Sequence, residues 1–119
     1  MTLENVNIGV RKINEYLSIL DIQGEVNSYA ESALMNAYTQ SLGNLTQYIL
    51  LNFEGLKYMN SSGIGLLVTL LIRVQRQKQK LFAFGLSEHY KQIFELTRLN
   101  EAIIIFDNES EAVAAASSN

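Results

Sequence analysis

The stretch Ile49–Leu71, ILLNFEGLKYMNSSGIGLLVTLL, decides how this chain is built. Its first residues belong to an apolar run, Tyr48 to Phe53, that lacks polar alternation, as expected for a strand covered on both faces. From Ser62 to about Lys78 the apolar residues recur at helical spacing instead. The junction is Asn60-Ser61-Ser62-Gly63-Ile64-Gly65. Its three polar residues are all good helix N-caps, so one of them can satisfy the first free amides of the helix. The glycines argue for more, because each costs roughly 0.5–1 kcal/mol relative to alanine in a first helical turn. Their bareness leaves room for another molecule's backbone or for a phosphate. A phosphate on Ser61 would sit where the helix dipole and free amides favour negative charge.

Working outward, LFAFG (81–85) and AIIIF (102–106) have the same unalternating character as Tyr48–Phe53. Helical stretches separate and follow them: Ser62 to about Lys78, Ser87 to about Leu99, and a closing NESEAVAAA. Upstream, VNIGVRKI and YLSILDI read as two short strands joined by a turn near Asn14-Glu15. After Gly24 the signal turns helical. Ser28 and Glu31 have the spacing of a capping box, and Ala30, Ala33, Leu34, Ala37, Tyr38 and Ser41 share one face of a helix ending near Gly43. Strands alternating with helices imply parallel neighbours and right-handed crossovers. The expected fold class is α/β: one domain over 1–119, ordered from about 5 to 116 with a short frayed tail. Its sheet is mixed, of four to five strands with a parallel core, and carries about four helices.

At 119 residues and 48% hydrophobic content the chain can bury one core but not two. Twelve acidic and nine basic residues leave a net charge of -3, and the cations are scattered except at Arg73–Lys80, so no field for nucleic acid exists. With no cysteine and one histidine, His89, there is neither a disulfide framework nor a zinc ligand set. The longest apolar run, Ile64–Ile72, is about half of the roughly 20 residues a membrane span requires. The N-terminus has no signal-peptide core, and the reading is cytoplasmic. NSSGIG is not Gly-x-Ser-x-Gly, His89 falls on a different helix, and no Walker loop is present. Catalysis is therefore not expected; a small α/β nucleotide-binding protein or enzyme is the third reading, which isothermal titration with nucleotides tests.

Ile49–Leu71 resembles the signature of the STAS domain of bacterial anti-sigma factor antagonists, in which an apolar strand leads into Asp-Ser-Ser-Gly-apolar-Gly and a helix. Upstream, ILDIQGEVNSYAESAL (19–34) is similar to the family's Gly-Glu-Leu-Asp turn and first helix; downstream the likeness runs through residues 81–113, so it covers most of the chain. The resemblance implies that Ser61, ahead of Ser62, is phosphorylated by an anti-sigma factor that is itself a serine kinase. Unphosphorylated antagonist would bind that kinase and free a sigma factor. Phosphorylated antagonist would let go, and a metal-dependent serine phosphatase would reset it. ATP and magnesium would belong to the kinase, leaving this chain with no cofactor and no metal site. Asn60 and Asn27 stand where the family has Asp, which keeps shape and a hydrogen-bonding oxygen but removes charge. The neutral pair also suits a second reading: an unmodified scaffold that assembles with itself or serves a transport complex.

Ile64, Leu67, Val68, Leu71 and Ile72 share the helical face expected to lie on the sheet, while Leu66, Leu70 and Val74 extend the apolar arc beyond it. The expected partner-binding surface is therefore Asn27, Asn60, Ser61, Ser62 and Gly63, with Leu66 and Leu70 beside it. RVQRQKQK (73–80) reads as a solvated helix end whose cations suit the helix C-terminus.

Overall fold

Five strands pair in chain order: β1 (Val6–Asn14), β2 (Leu17–Val26), β3 (Tyr48–Met59), β4 (Lys80–Phe84) and β5 (Ile104–Phe106). The structure, a computed structural model, is described over residues 6–117. β1 runs antiparallel to β2, and all later neighbours are parallel. The connections are a turn at 15–16, then α1 (Glu31–Ser41), α2 (Ser61–Arg76) and α3 (Glu88–Leu96); α4 (Glu109–Ser117) closes the fold. This is the expected α/β architecture. The tail expected after about residue 116 is corrected in part, since α4 continues to Ser117 with Ala116 buried; residues 118–119, like the expected ordered start at residue 5, lie outside the described residues.

Both faces of the sheet are covered, which is why the central strands read as continuous apolar runs. Along β2 the side chains alternate: Leu20 and Ile22 join Ile49, Leu51 and Phe53 beneath Leu34, Leu67, Leu70 and Phe94 of α1 to α3. Leu17 and Ile19 point the other way, with Leu50, Phe82 and Phe84, and are covered by Ala112 and Ala116 of α4. A lattice of charge ties α4 to the β1 edge. Arg11 donates to both carboxylate oxygens of Asp21, at 2.6 and 2.8 Å, and to Glu109 at 2.8 Å.

Four local expectations are corrected. β3 continues well past Phe53 to Met59, and β2 runs through Gly24 to Val26. β4 ends opposite Asn52, so the outer half of β3 pairs only with β2, and that pairing slips at Asp21/Gln23 and Gly24/Glu25. The slips, with Gly24 at φ 94°, break the two-residue alternation that would have marked a strand. β5 begins at Ile104 rather than Ala102, because Leu99–Glu101 coils into a 3-10 turn after Arg98, at φ 63°. The Ser28/Glu31 box does not form: Ser28–Ala30 is itself a 3-10 turn, capped by Asn27.

The fourth concerns the roll of α2. Its buried stripe is Gly63, Leu67, Leu70, Leu71 and Val74, whereas Val68 and Ile72 are 39% and 44% exposed. Gly63 sets this roll. A Cβ there would run into the carbonyl oxygen of Val26 and come within 2.7 Å of the Met59 side chain. Only a bare residue lets the helix settle so close to the ends of β2 and β3.

Candidate partner-binding edge around Ser61

Because β2 and β3 are parallel and Val26 pairs with Met59, their two loops leave the sheet side by side. The backbone N–H of Asn60 donates to Val26 O at 3.3 Å, which locks the loops together. This is the carboxyl edge of a parallel sheet, where such folds place their binding surfaces. Asn27 and Asn60 then perform the same task. Asn27 Oδ1 accepts from Tyr29 N–H at 2.9 Å, and Asn60 Oδ1 accepts from Gly63 N–H at 2.9 Å. Both residues have extended backbones and serve as N-caps, of the 3-10 turn and of α2 respectively.

The cap belongs to Asn60, so neither Ser61 nor Ser62 is needed for it. Both serines are exposed in the first turn of α2. A phosphate added to Ser61 would meet a helix start whose third amide is already taken by Asn60 while the Ser61 and Ser62 amides stay available.

The structure therefore brings Asn27, Asn60, Ser61 and Ser62 to one edge and removes two other expected contacts. Gly63 is buried against Val26 and Met59, so its bareness serves the fold. Leu70 is 0% exposed in the main core, pointing into the sheet because of the roll of α2, and cannot contact a partner. Leu66 is half-buried and packs on that core. Gly65 differs from Gly63: a Cβ there meets nothing within 4 Å. The apolar side chains actually presented outward by α2 are Val68 and Ile72.

Two features of this edge escape sequence reading. Tyr29 and Tyr58, at 55% and 53% exposure, flank the asparagines, one from the 3-10 turn and one from β3. Tyr90 of α3 accepts a hydrogen bond from Met59 N–H through its hydroxyl, at 2.8 Å, on the side of β3 that β4 does not reach. Their partners are distant in sequence, and no local pattern announces them. His89, next to Tyr90, is exposed, and its ring meets the Tyr90 ring edge-on at 4.9 Å. Away from the asparagine caps, Arg11 holds the Asp21 carboxyl below its ordinary range, and burial pushes the Tyr38 hydroxyl up. Among the described residues no three His, Asp or Glu side chains gather as a metal site, and no helix is long and apolar enough to cross a membrane.

A family model for the STAS domain matches residues 7–112, nearly the whole described chain. The chain belongs to the STAS domain family. The STAS domain is 28% identical over 97 residues to the anti-sigma-B factor antagonist of Staphylococcus aureus (strain NCTC 8325 / PS 47), covering 82% of this chain and 89% of that one. In fold it matches the anti-sigma factor antagonist SpoIIAA in its unphosphorylated form, with a TM-score of 0.77 at 18% identity over 95% and 98% of the two chains. It is also similar to a sulfate transporter family protein from Wolinella succinogenes, with a TM-score of 0.76 at 16% identity over 89% and 88%. The two asparagine caps of this STAS domain, with Ser61 beside them, thus sit on a frame that these proteins share.

Proposed function

We propose that this STAS domain is an anti-sigma factor antagonist in the cytoplasm: a non-catalytic switch that binds an anti-sigma factor serine kinase and accepts its phosphate on Ser61. The observation that carries the reading is the division of labour at the start of α2. Asn60 caps the helix, which leaves the Ser61 hydroxyl exposed and without a structural duty. Phosphorylation there adds about two negative charges without removing a fold contact, so the switch is a change of surface charge rather than of shape. The unmodified edge, uncharged at Asn27, Asn60, Ser61 and Ser62, docks the kinase and releases the sigma factor. The charged edge lets go until a metal-dependent serine phosphatase restores it. Asn60 cannot take the proton from Ser61, so the kinase supplies that base together with ATP and magnesium. The contact is formed by Asn27, Asn60, Ser61 and Ser62, with Tyr29 and Tyr58 as aromatic anchors of the kind that dominate interfaces.

The neutral asparagine pair favours one alternative, an unmodified scaffold STAS domain that assembles with itself or within a transport complex. Intact-mass spectrometry of the protein from its native cells, with site mapping, separates the two. One phosphate on Ser61 is the expected result. An unmodified Ser61 through growth and stress, with the partner still bound by a Ser61→Ala variant, would move the assignment to the scaffold.

A further inference from the structure

Every parallel strand begins at the pole opposite Ser61, and the loops there are stitched together. Tyr16 O accepts from Gln47 N–H at 2.8 Å, Gln47 O accepts from Lys80 N–H at 2.8 Å, and the Gln79 amide donates to Thr46 O at 3.3 Å. On this pole stand Ile13, Tyr16, Leu45 and Ile104, between 41% and 50% exposed. Interleaved with them are the exposed cations Lys12, Lys78 and Lys80, joined by Arg73 and Arg76 from the last turn of α2. None of these five forms an ion pair among the described residues. Glu15, Glu95 and Glu101 are the acids at this end, and Glu101 is already held by Arg98 at 3.2 Å.

The Ser61 pole has the opposite sign. Glu25 and Glu31 flank Asn27, Glu54 lies on the outer half of β3, and Glu88 starts α3. Asp107, Glu109 and Glu111 lie around the start of α4. Lys91 pairs with Asp107 and Glu88, and Arg11 with Glu109, so Glu25, Glu31, Glu54 and Glu111 are the acids left outside an ion pair there among the described residues. Lys57, on the outer half of β3, is the sixth cation outside an ion pair among the described residues. Five of the six therefore gather at the foot with the half-exposed Ile, Leu and Tyr side chains, and a chain of net charge -3 is polarised along its strands.

We propose that this foot is a peripheral docking surface for an anionic lipid bilayer. The charge supplies the argument for that occupant. Clustered Lys and Arg are drawn to an anionic leaflet, and the half-exposed Tyr, Leu and Ile beside them can enter the headgroup layer without leaving the core. The acidic pole is repelled by the same lipid, so the field orients the molecule before contact. Docked this way, Asn27, Asn60 and Ser61 face away from the membrane and stay open to a protein partner. The proposal does not depend on whether Ser61 is modified.

Flotation of the full chain with phosphatidylcholine vesicles containing phosphatidylglycerol, against phosphatidylcholine alone, tests it. The expected result is binding to the anionic vesicles only, weakening as salt is raised. Lys78→Glu/Lys80→Glu lowers the binding by about 30-fold or more, since each lysine near an anionic leaflet contributes on the order of fivefold. Both positions are exposed, so an unchanged melting curve shows that the variant folds; Tyr16→Ser, which leaves every charge in place, gives a second and smaller loss. No flotation with anionic vesicles at low salt overturns the proposal, as does equal flotation by the charge-reversed chain or equal binding to neutral vesicles. So does salt-sensitive self-association in sedimentation velocity that the reversal abolishes while vesicles leave the native chain unbound. In that case the foot meets the acidic edge of a second copy.

Discussion

The hydroxyl of Tyr90 accepts the backbone N–H of Met59 at 2.8 Å, so α3 holds the free side of β3 one residue before the α2 cap. Tyr90 is 8% exposed, and β4 has already ended, so no strand can take over that amide. Tyr90→Phe leaves a buried N–H unpaired and costs about 1–3 kcal/mol. The check is denaturant unfolding together with amide exchange, which should speed up first at Met59 and Asn60.

The two glycines of the α2 turn respond in opposite directions. Gly63→Ala pushes a methyl into Val26 and Met59 and destabilises by about 1–3 kcal/mol. Gly65→Ala meets open space and gains about 0.5–1 kcal/mol of helix stability. Thermal melts of the two variants should move to opposite sides of the native value.

Leu70 and Val68 are neighbours on α2 with different surroundings, 0% against 39% exposed. Leu70→Asp buries a carboxylate without a partner and should cost more than roughly 4 kcal/mol, leaving little folded protein. Val68→Asp should cost about 1 kcal/mol or less. Circular dichroism separates them, and a folded Leu70→Asp chain would refute the roll assigned to α2.

Asp21 gives stability a pH dependence whose sign is fixed. Arg11 hydrogen-bonds its carboxylate and lowers its folded-state value below that of the unfolded chain. The contribution is therefore complete above the ordinary carboxyl value of about 4 and is lost as pH falls through the lowered one. With Arg11 40% exposed, the pair is worth about 1 kcal/mol or less. Asp21→Asn should flatten the acid limb of the unfolding midpoint plotted against pH.

The cap at Asn60 can be probed by charge and by deletion. Asn60→Ala removes the acceptor for Gly63 N–H and costs about 1 kcal/mol. Asn60→Asp keeps an acceptor and adds a negative charge at the helix N-terminus, for a gain of about 0.3–1 kcal/mol. If the kinase reads an uncharged cap at position 60, the aspartate variant binds it more weakly although it is more stable.

Much of the site was legible because its signals are local. The apolar run from Tyr48, the cap residues at 60–62 and the helical period after them identify a strand, a turn and a helix from adjacent residues alone. Ser61 and Ser62 could be placed at a helix start on that basis. What was not legible required a partner distant in the chain. The hydrophobic arc of α2 spans more than one face, so its period alone does not say whether Leu70 or Val68 enters the core. The contact of Gly63 with Val26 makes that choice. The same bareness that invites a partner in the sequence is, at Gly63, the fit of a helix onto its own strands.

The sequence by itself determined that this is a parallel-centred α/β domain with a capped serine turn, because covered strands and helix starts are written in short-range patterns of hydrophobicity and hydrogen-bonding side chains. Only the tertiary structure decided which residues meet. Parallel register sets Asn27 beside Asn60, α3 sends Tyr90 to Met59, and the shared direction of the strands separates an acidic Ser61 edge from a basic, apolar foot. Those relations depend on strand register and helix roll, which are set by packing between segments far apart in the chain.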